Sequence, residues 1–291
     1  GSGGIQTGMV FSVLFHIIEI GADAAAEREH GGTAADEIVP KVVKGEVDIA
    51  LIPANLAAVL YQKTNQGISV IDVNTLGVLN VLEHGNEIQS ISDLKGKTIC
   101  MTGKATVPEY TLKYLLSANG LSENDVTIEF KAEAPEVIAY MSTDDSVVGI
   151  LPQPFVTSAL LQDEGLRIAC SLTEEWDAVS ENGASLTGVT IVRNDFLSEH
   201  KEAVDQFIQE HKESVDYVNA NVDEAAQMIE SYDIIKAPIA KKALADCNIV
   251  AISGGECKDK LSGFLEVLYN ESPEAVGGSL PDGTFYYEYQ N

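Results

Sequence analysis

The sequence predicts an α/β fold of two lobes built to one plan, on three observations. Short apolar runs that stop at Pro or Gly alternate with segments of helical spacing. One strand-to-helix phrase occurs twice, at residues 47–61 and again at 148–161. At 291 residues and 45% hydrophobic content, the chain is also long enough to bury two cores.

In the first copy of the phrase, an apolar run stops at Pro53 and Leu56, Val59 and Leu60 follow at helical spacing. Setting Pro53 on Pro152 aligns apolar with apolar and places Asn55 on Pro154. Asn suits a helix N-cap and Pro the first helical position, so both copies are expected to start a helix there.

Taken in order, residues 5–18 read as a loop with Thr7 as N-cap, then a helix apolar on nearly all sides. Residues 27–32 are a polar break, and Thr33 or Asp36 caps a helix that Gly45 ends, with Pro40 implying a late start or a kink. Residues 68–73 form a strand and 74–82 an extended apolar run. Residues 98–101 are a strand, Gly103 opens a tight loop, and Thr106 with Glu109 has the spacing of a capping box. Strands follow at 126–130, 148–152, 167–170 and 186–193, with helices at 135–141 and 173–179. Val204, Ile208, His211, Val215 and Val218 keep a helical period, the remaining tail reads as helices, and the aromatic residues at 285–289 read as packing.

Composition excludes several classes. With 18 basic and 45 acidic residues the net charge is −27, which repels phosphate backbones and excludes nucleic acid as a partner. Three arginines, Arg28, Arg167 and Arg193, do not make a polyanion clamp. Cys100, Cys170, Cys247 and Cys257 show no C-x-x-C spacing and no His partner, so no metal is expected and buried thiols are preferred to a bridge. Residues 9–20 are too short to span a membrane, and they lack the flanks of an export signal. No nucleophile–base pair is visible, so no catalytic residue and no cofactor is assigned.

In α/β sheets, ligands sit at the carboxyl ends of strands beside helix N-termini, whose first N–H groups lack partners. The candidate ligand residues at such positions are Thr7, Gly8 and Met9, then Pro53 and Asn55, then Thr75 and Leu76. They continue with Thr102, Gly103, Lys104, Ala105 and Thr106, then Gln153 and Pro154, and finally Thr187 and Gly188. Gly103 lets the backbone approach a ligand closely, and Lys104 suits an anion.

These stretches together resemble the type II periplasmic solute-binding proteins of ABC importers, in the branch for nitrate, sulfonates, taurine and thiamine precursors. The resemblance rests on Gly-Glu-Val-Asp-Ile-Ala at 45–50, Asp-Leu-Lys-Gly-Lys-Thr-Ile at 93–99, Leu-Pro-Gln-Pro-Phe at 151–155, and the helical pair at 202–226. It covers residue 36 to the end, whereas the first 35 residues depart from the family pattern of two early strands.

The resemblance implies two lobes, each a mixed sheet flanked by helices, joined by two crossing strands with a ligand cleft between them. The repeated phrase and two extended apolar linkers divide them as residues 1–84 with 187–291 and an inserted 85–186, with hinges at 76–82 and 186–193. It implies a monomeric, extracytoplasmic protein, periplasmic or a surface lipoprotein, that captures a small polar or anionic organic solute and delivers it to ABC permease subunits. No chemical turnover is implied. Enzymes of the same fold, such as a menaquinone-pathway dehydratase, and ligand-sensing domains are the alternatives.

Overall fold

Strands β1 (Ile49–Pro53) and β6 (Val147–Pro152) both end at the proline of the repeated phrase and pass directly into helices, α2 (Ala54–Lys63) and, after Gln153 and Pro154, α5 (Phe155–Gln162). The computed structural model describes residues 34–181 and 183–290. They form two sheets flanked by helices, the predicted α/β architecture; the second sheet is mixed, whereas every strand pair in the first is antiparallel. The expectations for residues 1–33, including Thr7, Gly8 and Met9, lie outside the described residues.

The first sheet has the order β1–β8–β2–β9, where β8 is Leu186–Arg193, β2 is Ile68–Leu76 and β9 is Ile249–Ser253. Strand β8 runs antiparallel to both β1 and β2 and so holds them parallel to each other. The second sheet has the order β5–β4–β6–β3–β7, from Thr127–Phe130, Thr98–Met101, β6, Leu79–His84 and Leu166–Ser171. Strands β4, β5 and β6 are parallel, so the loops after β4 and β6 leave the sheet side by side.

Alternation along the strands sorts side chains into separate cores. Ile99 and Met101 of β4 join Ile52, Val73 and Val189 of the first sheet in one continuous cluster. Cys100 between them points the other way, into Leu82, Val137, Met141, Leu151 and Val156 beneath helices α4 (Ala134–Met141) and α5. On the outer side of the first sheet, Ile71 and Val192 pack with Val204 and Ile208 of α8 (Lys201–Ala220). His211 of α8 is a polar anchor rather than part of an apolar stripe: its Nδ1 lies 2.7 Å from Asp72 Oδ2, and both side chains are buried.

The continuous cluster is closed by α11 (Gly254–Glu271), which contributes Leu261, Phe264, Leu265 and Leu268. Against it lies Trp176 of α6 (Leu172–Val179), fully buried, with ring centroids 5.4 Å from Phe264 and 4.6 Å from Tyr114 of α3 (Val107–Ala118). The indole N–H donates to Gly183 O at 3.2 Å, so the polar tip is satisfied as well. The C-terminal aromatic residues pack as expected: Phe285 is fully buried, edge-on to Tyr61 at 5.1 Å.

Three differences from the sequence reading have physical reasons. Pro40 lies inside α1 (Ala34–Val43) without dividing it, and Gly45, with φ 73°, lies just beyond its end. Strand β9 was read as part of a helical tail; it is five residues long and buries only Ile249 fully, so its alternation is faint. The chain changes sheet between Gly77 and Val78, because β3 pairs with β6 from Leu79↔Pro152 onward. The unbroken apolar run through 82 conceals that change.

Because Trp176 fills the space between α3 and α11, Trp176→Ala should lower the unfolding free energy by about 3–5 kcal/mol. Urea denaturation followed by circular dichroism checks this, and a loss below about 1 kcal/mol would show that the ring is not a core element.

Candidate functional site

Pairing register gathers one group of candidate residues at the end of the first sheet. Gly188 on the central strand faces Pro53 on one side and Thr75 on the other, so the ends of β1 and β2 flank it. Thr187 Oγ1 donates to Leu76 O at 2.7 Å, and Thr75 Oγ1 donates to Asn74 Oδ1 at 2.9 Å. The Thr187 hydroxyl therefore ties β8 to the end of β2, whereas the Thr75 hydroxyl is held within β2 itself.

The second sheet supplies the loop 102–106 after β4 and the Gln153-Pro154 junction after β6. Gln153 N donates to Val78 O at 3.0 Å, which fixes the junction to the crossing between the sheets. The Gln153 side chain faces its own helix: Oε1 accepts from Thr157 Oγ1 at 2.9 Å and from Thr157 N at 3.2 Å. Gln153 thus serves the first turn of α5 from the residue before the N-cap, which is Pro154; the aligned phrase expected Pro154 at the first helical position.

The loop 102–106 departs from a capping box. Thr106 is the N-cap of α3 in extended conformation, but its hydroxyl donates to Gly103 O at 2.9 Å. Glu109 accepts from Ala105 N at 2.6 Å rather than from Thr106 N, which itself donates to Gly103 O. The cause is backbone geometry. Ala105 sits at φ 59° and turns its N–H toward the helix, while Gly103 at φ 82° starts the turn. A Cβ at Gly103 would lie 2.6 Å from Pro108 Cγ, so the proline ring demands glycine there independently of any ligand.

Charges around the loop are balanced. Lys113 Nζ lies 2.8 Å from Glu109 Oε1 and 3.3 Å from Glu123 Oε1. Burial pulls the Lys113 pKa down, but the hydrogen bonds and charges of Glu109 and Glu123 outweigh it, and the net direction is upward. Glu109 is thereby neutralised, leaving the positive end of the α3 dipole less opposed. Lys104 is exposed and lies 6.0 Å from the centre of the Phe130 ring.

Asn55 connects the two groups. It is the second residue of α2, not the N-cap, which is Pro53, and no side chain caps this helix. Its Nδ2 donates to Ala105 O across the junction at 3.4 Å and to Ala275 O at 3.1 Å. Ala275 lies in a 3-10 turn, Pro273–Val276, which sequence reasoning missed; a backbone carbonyl more than two hundred positions away leaves no local sign. The uncapped start of α2 and the start of α3 therefore meet, an arrangement that attracts negative charge and hydrogen-bond acceptors. Pro53, Asn55, Thr75, Leu76, Thr187 and Gly188 come together, loop 102–106 joins them through Asn55, and Gln153 and Pro154 join through Val78.

Among the described residues no group of His, Cys, Asp and Glu could hold a metal ion. The four cysteines carry free thiols, and burial pushes Cys100 up to about 11 and Cys170 and Cys247 up to about 12, which keeps them unreactive.

Comparison with known proteins bears on the fold that carries these loops. The family model described as NMT1/THI5 like matches residues 32–225. A protein described as an ABC transporter from Parabacteroides distasonis superposes with a TM-score of 0.74 at 25% identity, over 89% of this chain and 87% of that one. The periplasmic aliphatic sulphonate binding protein SsuA of Escherichia coli gives a TM-score of 0.70 at 11% identity, over 89% and 82% of the two chains. The alkanesulfonate-binding protein SsuA of Xanthomonas axonopodis pv. citri, solved with MOPS, gives 0.64 at 13% identity, over 82% and 80%. No curated protein sequence gives a significant match.

The strain at Ala105 yields a paired expectation. Ala105→Gly should raise stability by about 1 kcal/mol by relieving the left-handed backbone, whereas Gly103→Ala should lower it by about 2 kcal/mol through the Pro108 contact. Thermal unfolding of both variants beside the parent checks the two signs.

Proposed function

The chain belongs to the NMT1/THI5-like family, and from that premise we propose that it is the substrate-binding component of an ABC importer. It captures a small polar or anionic organic solute between the two sheets and hands it to membrane permease subunits. The observation that carries this reading is the meeting of two helix N-termini from different sheets, α2 and α3, at the Asn55–Ala105 contact. Backbone N–H groups at such termini bind anions without a dedicated cation.

The two sheets are the two lobes in this proposal, with the chain crossing between Gly77 and Val78 and again before β8. Solute contacts come from Pro53, Asn55, Thr75, Gly103, Lys104 and Thr106, with Gln153, Pro154 and Gly188 shaping the floor. The protein acts as an extracytoplasmic monomer and returns its solute chemically unchanged. Its similarity in fold to sulfonate-binding proteins makes organic sulfonates the first solutes to test.

Titration calorimetry with organic sulfonates, carboxylates and small heterocycles should reveal one solute bound at a ratio of one to one. At a hundred times its dissociation constant that solute adds about 2.7 kcal/mol to stability. Mass spectrometry should recover it intact; conversion that depends on a residue of these loops would place the chain among enzymes instead.

A further inference from the structure

Asn55 has 0% exposure, and its carboxamide can be oriented in one way only. The nitrogen faces two carbonyl oxygens, Ala275 O and Ala105 O, which need a donor. The oxygen, Oδ1, is thereby fixed, and it has no hydrogen-bond partner among the described residues. Buried side-chain acceptors are nearly always paired, so one left over at the meeting of two helix N-termini requires an explanation.

The threonine hydroxyls of the gathered loops do not supply one. Thr106 donates to Gly103 O, Thr75 to Asn74 Oδ1 and Thr187 to Leu76 O. Each of the three would have to abandon a protein acceptor to reach Oδ1. The surroundings offer donors to an anion through the helix starts, and one acceptor, Asn55 Oδ1, to something that donates. At 3.4 Å, the Nδ2 contact to Ala105 O is near the outer limit of a hydrogen bond, so the amide can be uncovered by a small parting of the sheets.

We infer that Asn55 Oδ1 accepts a hydrogen bond from the bound solute, and that the solute is a small organic anion that also carries an N–H or O–H donor. This deepens the proposed function and rests on its reading of the cleft. The anionic end lies at the starts of α2 and α3, and the donor end meets Asn55. A site built to accept a hydrogen bond discriminates strongly against an analogue that lacks the donor, because the buried acceptor then stays unpaired.

The test uses three near-isosteric sulfonates: 2-aminoethanesulfonate, 2-hydroxyethanesulfonate and propane-1-sulfonate. Calorimetry on the full chain should show the amino or the hydroxy compound binding at least about tenfold tighter than the methyl compound, a difference of about 1.4 kcal/mol. Asn55→Leu should abolish that preference, and Asn55→Gln, which keeps an amide oxygen together with its N–H donors, should retain it. Circular dichroism establishes that each variant is folded, and the comparison on the unaltered protein stands without them. If propane-1-sulfonate binds as tightly as the other two, the anion site stands and the donor inference is overturned. Retention of the preference in Asn55→Leu overturns it as well. If none of the three binds, the small-anion reading fails and this inference fails with it.

Discussion

Gly77 is the point on which the two sheets depend. A Cβ there would lie 2.1 Å from Thr173 Oγ1 and 2.8 Å from Ser185 Oγ, so both crossings of the chain are pressed against one position that admits no side chain. The neighbouring carbonyls are taken up in turn by Thr187 Oγ1 on Leu76 O, Asn248 Nδ2 on Gly77 O and Gln153 N on Val78 O. Three separate segments of the chain are thereby registered on three consecutive residues. The strand ends that flank Gly188 and the loops after β4 and β6 inherit their positions from that registration.

This arrangement has a mechanical consequence. On the side of α11 the sheets share one apolar core, in which Trp176 packs between Tyr114 and Phe264. On the side of Asn55 a long hydrogen bond to Ala105 O joins the two. Under the proposed function, opening about the crossing would separate the α2 and α3 starts and leave the Trp176 side packed, a hinge motion. The positive φ of Ala105 lies in the same loop, where backbone strain is expected if the loop must change shape around a solute.

Much of this was legible in the chain. The prolines at 53 and 152 mark two strand ends that pass into helices, and the apolar runs at 98–101 and 186–193 become β4 and β8 with the same bounds. Strand β9 and the change of sheet at Gly77 were not, since one lacks alternation and the other sits inside a continuous apolar run. The site was legible as positions rather than as bonds. Asn55 was expected to cap its own helix, yet its amide reaches Ala105 and Ala275, and Glu109 serves Ala105 N because a left-handed residue rotated that N–H into reach. Local spacing encodes where a loop begins, but partners brought together by the sheets have no signature in a window of a few residues.

The central claim is that one solute is held by both sheets at once, and amide hydrogen exchange with and without the tightest-binding solute tests it most directly. The account predicts slowed exchange in two separate segments, 54–58 at the start of α2 and 103–109 around the start of α3, since each contributes N–H groups to the same ligand. Protection confined to one of the two segments, or appearing in neither, would contradict a cleft between the sheets.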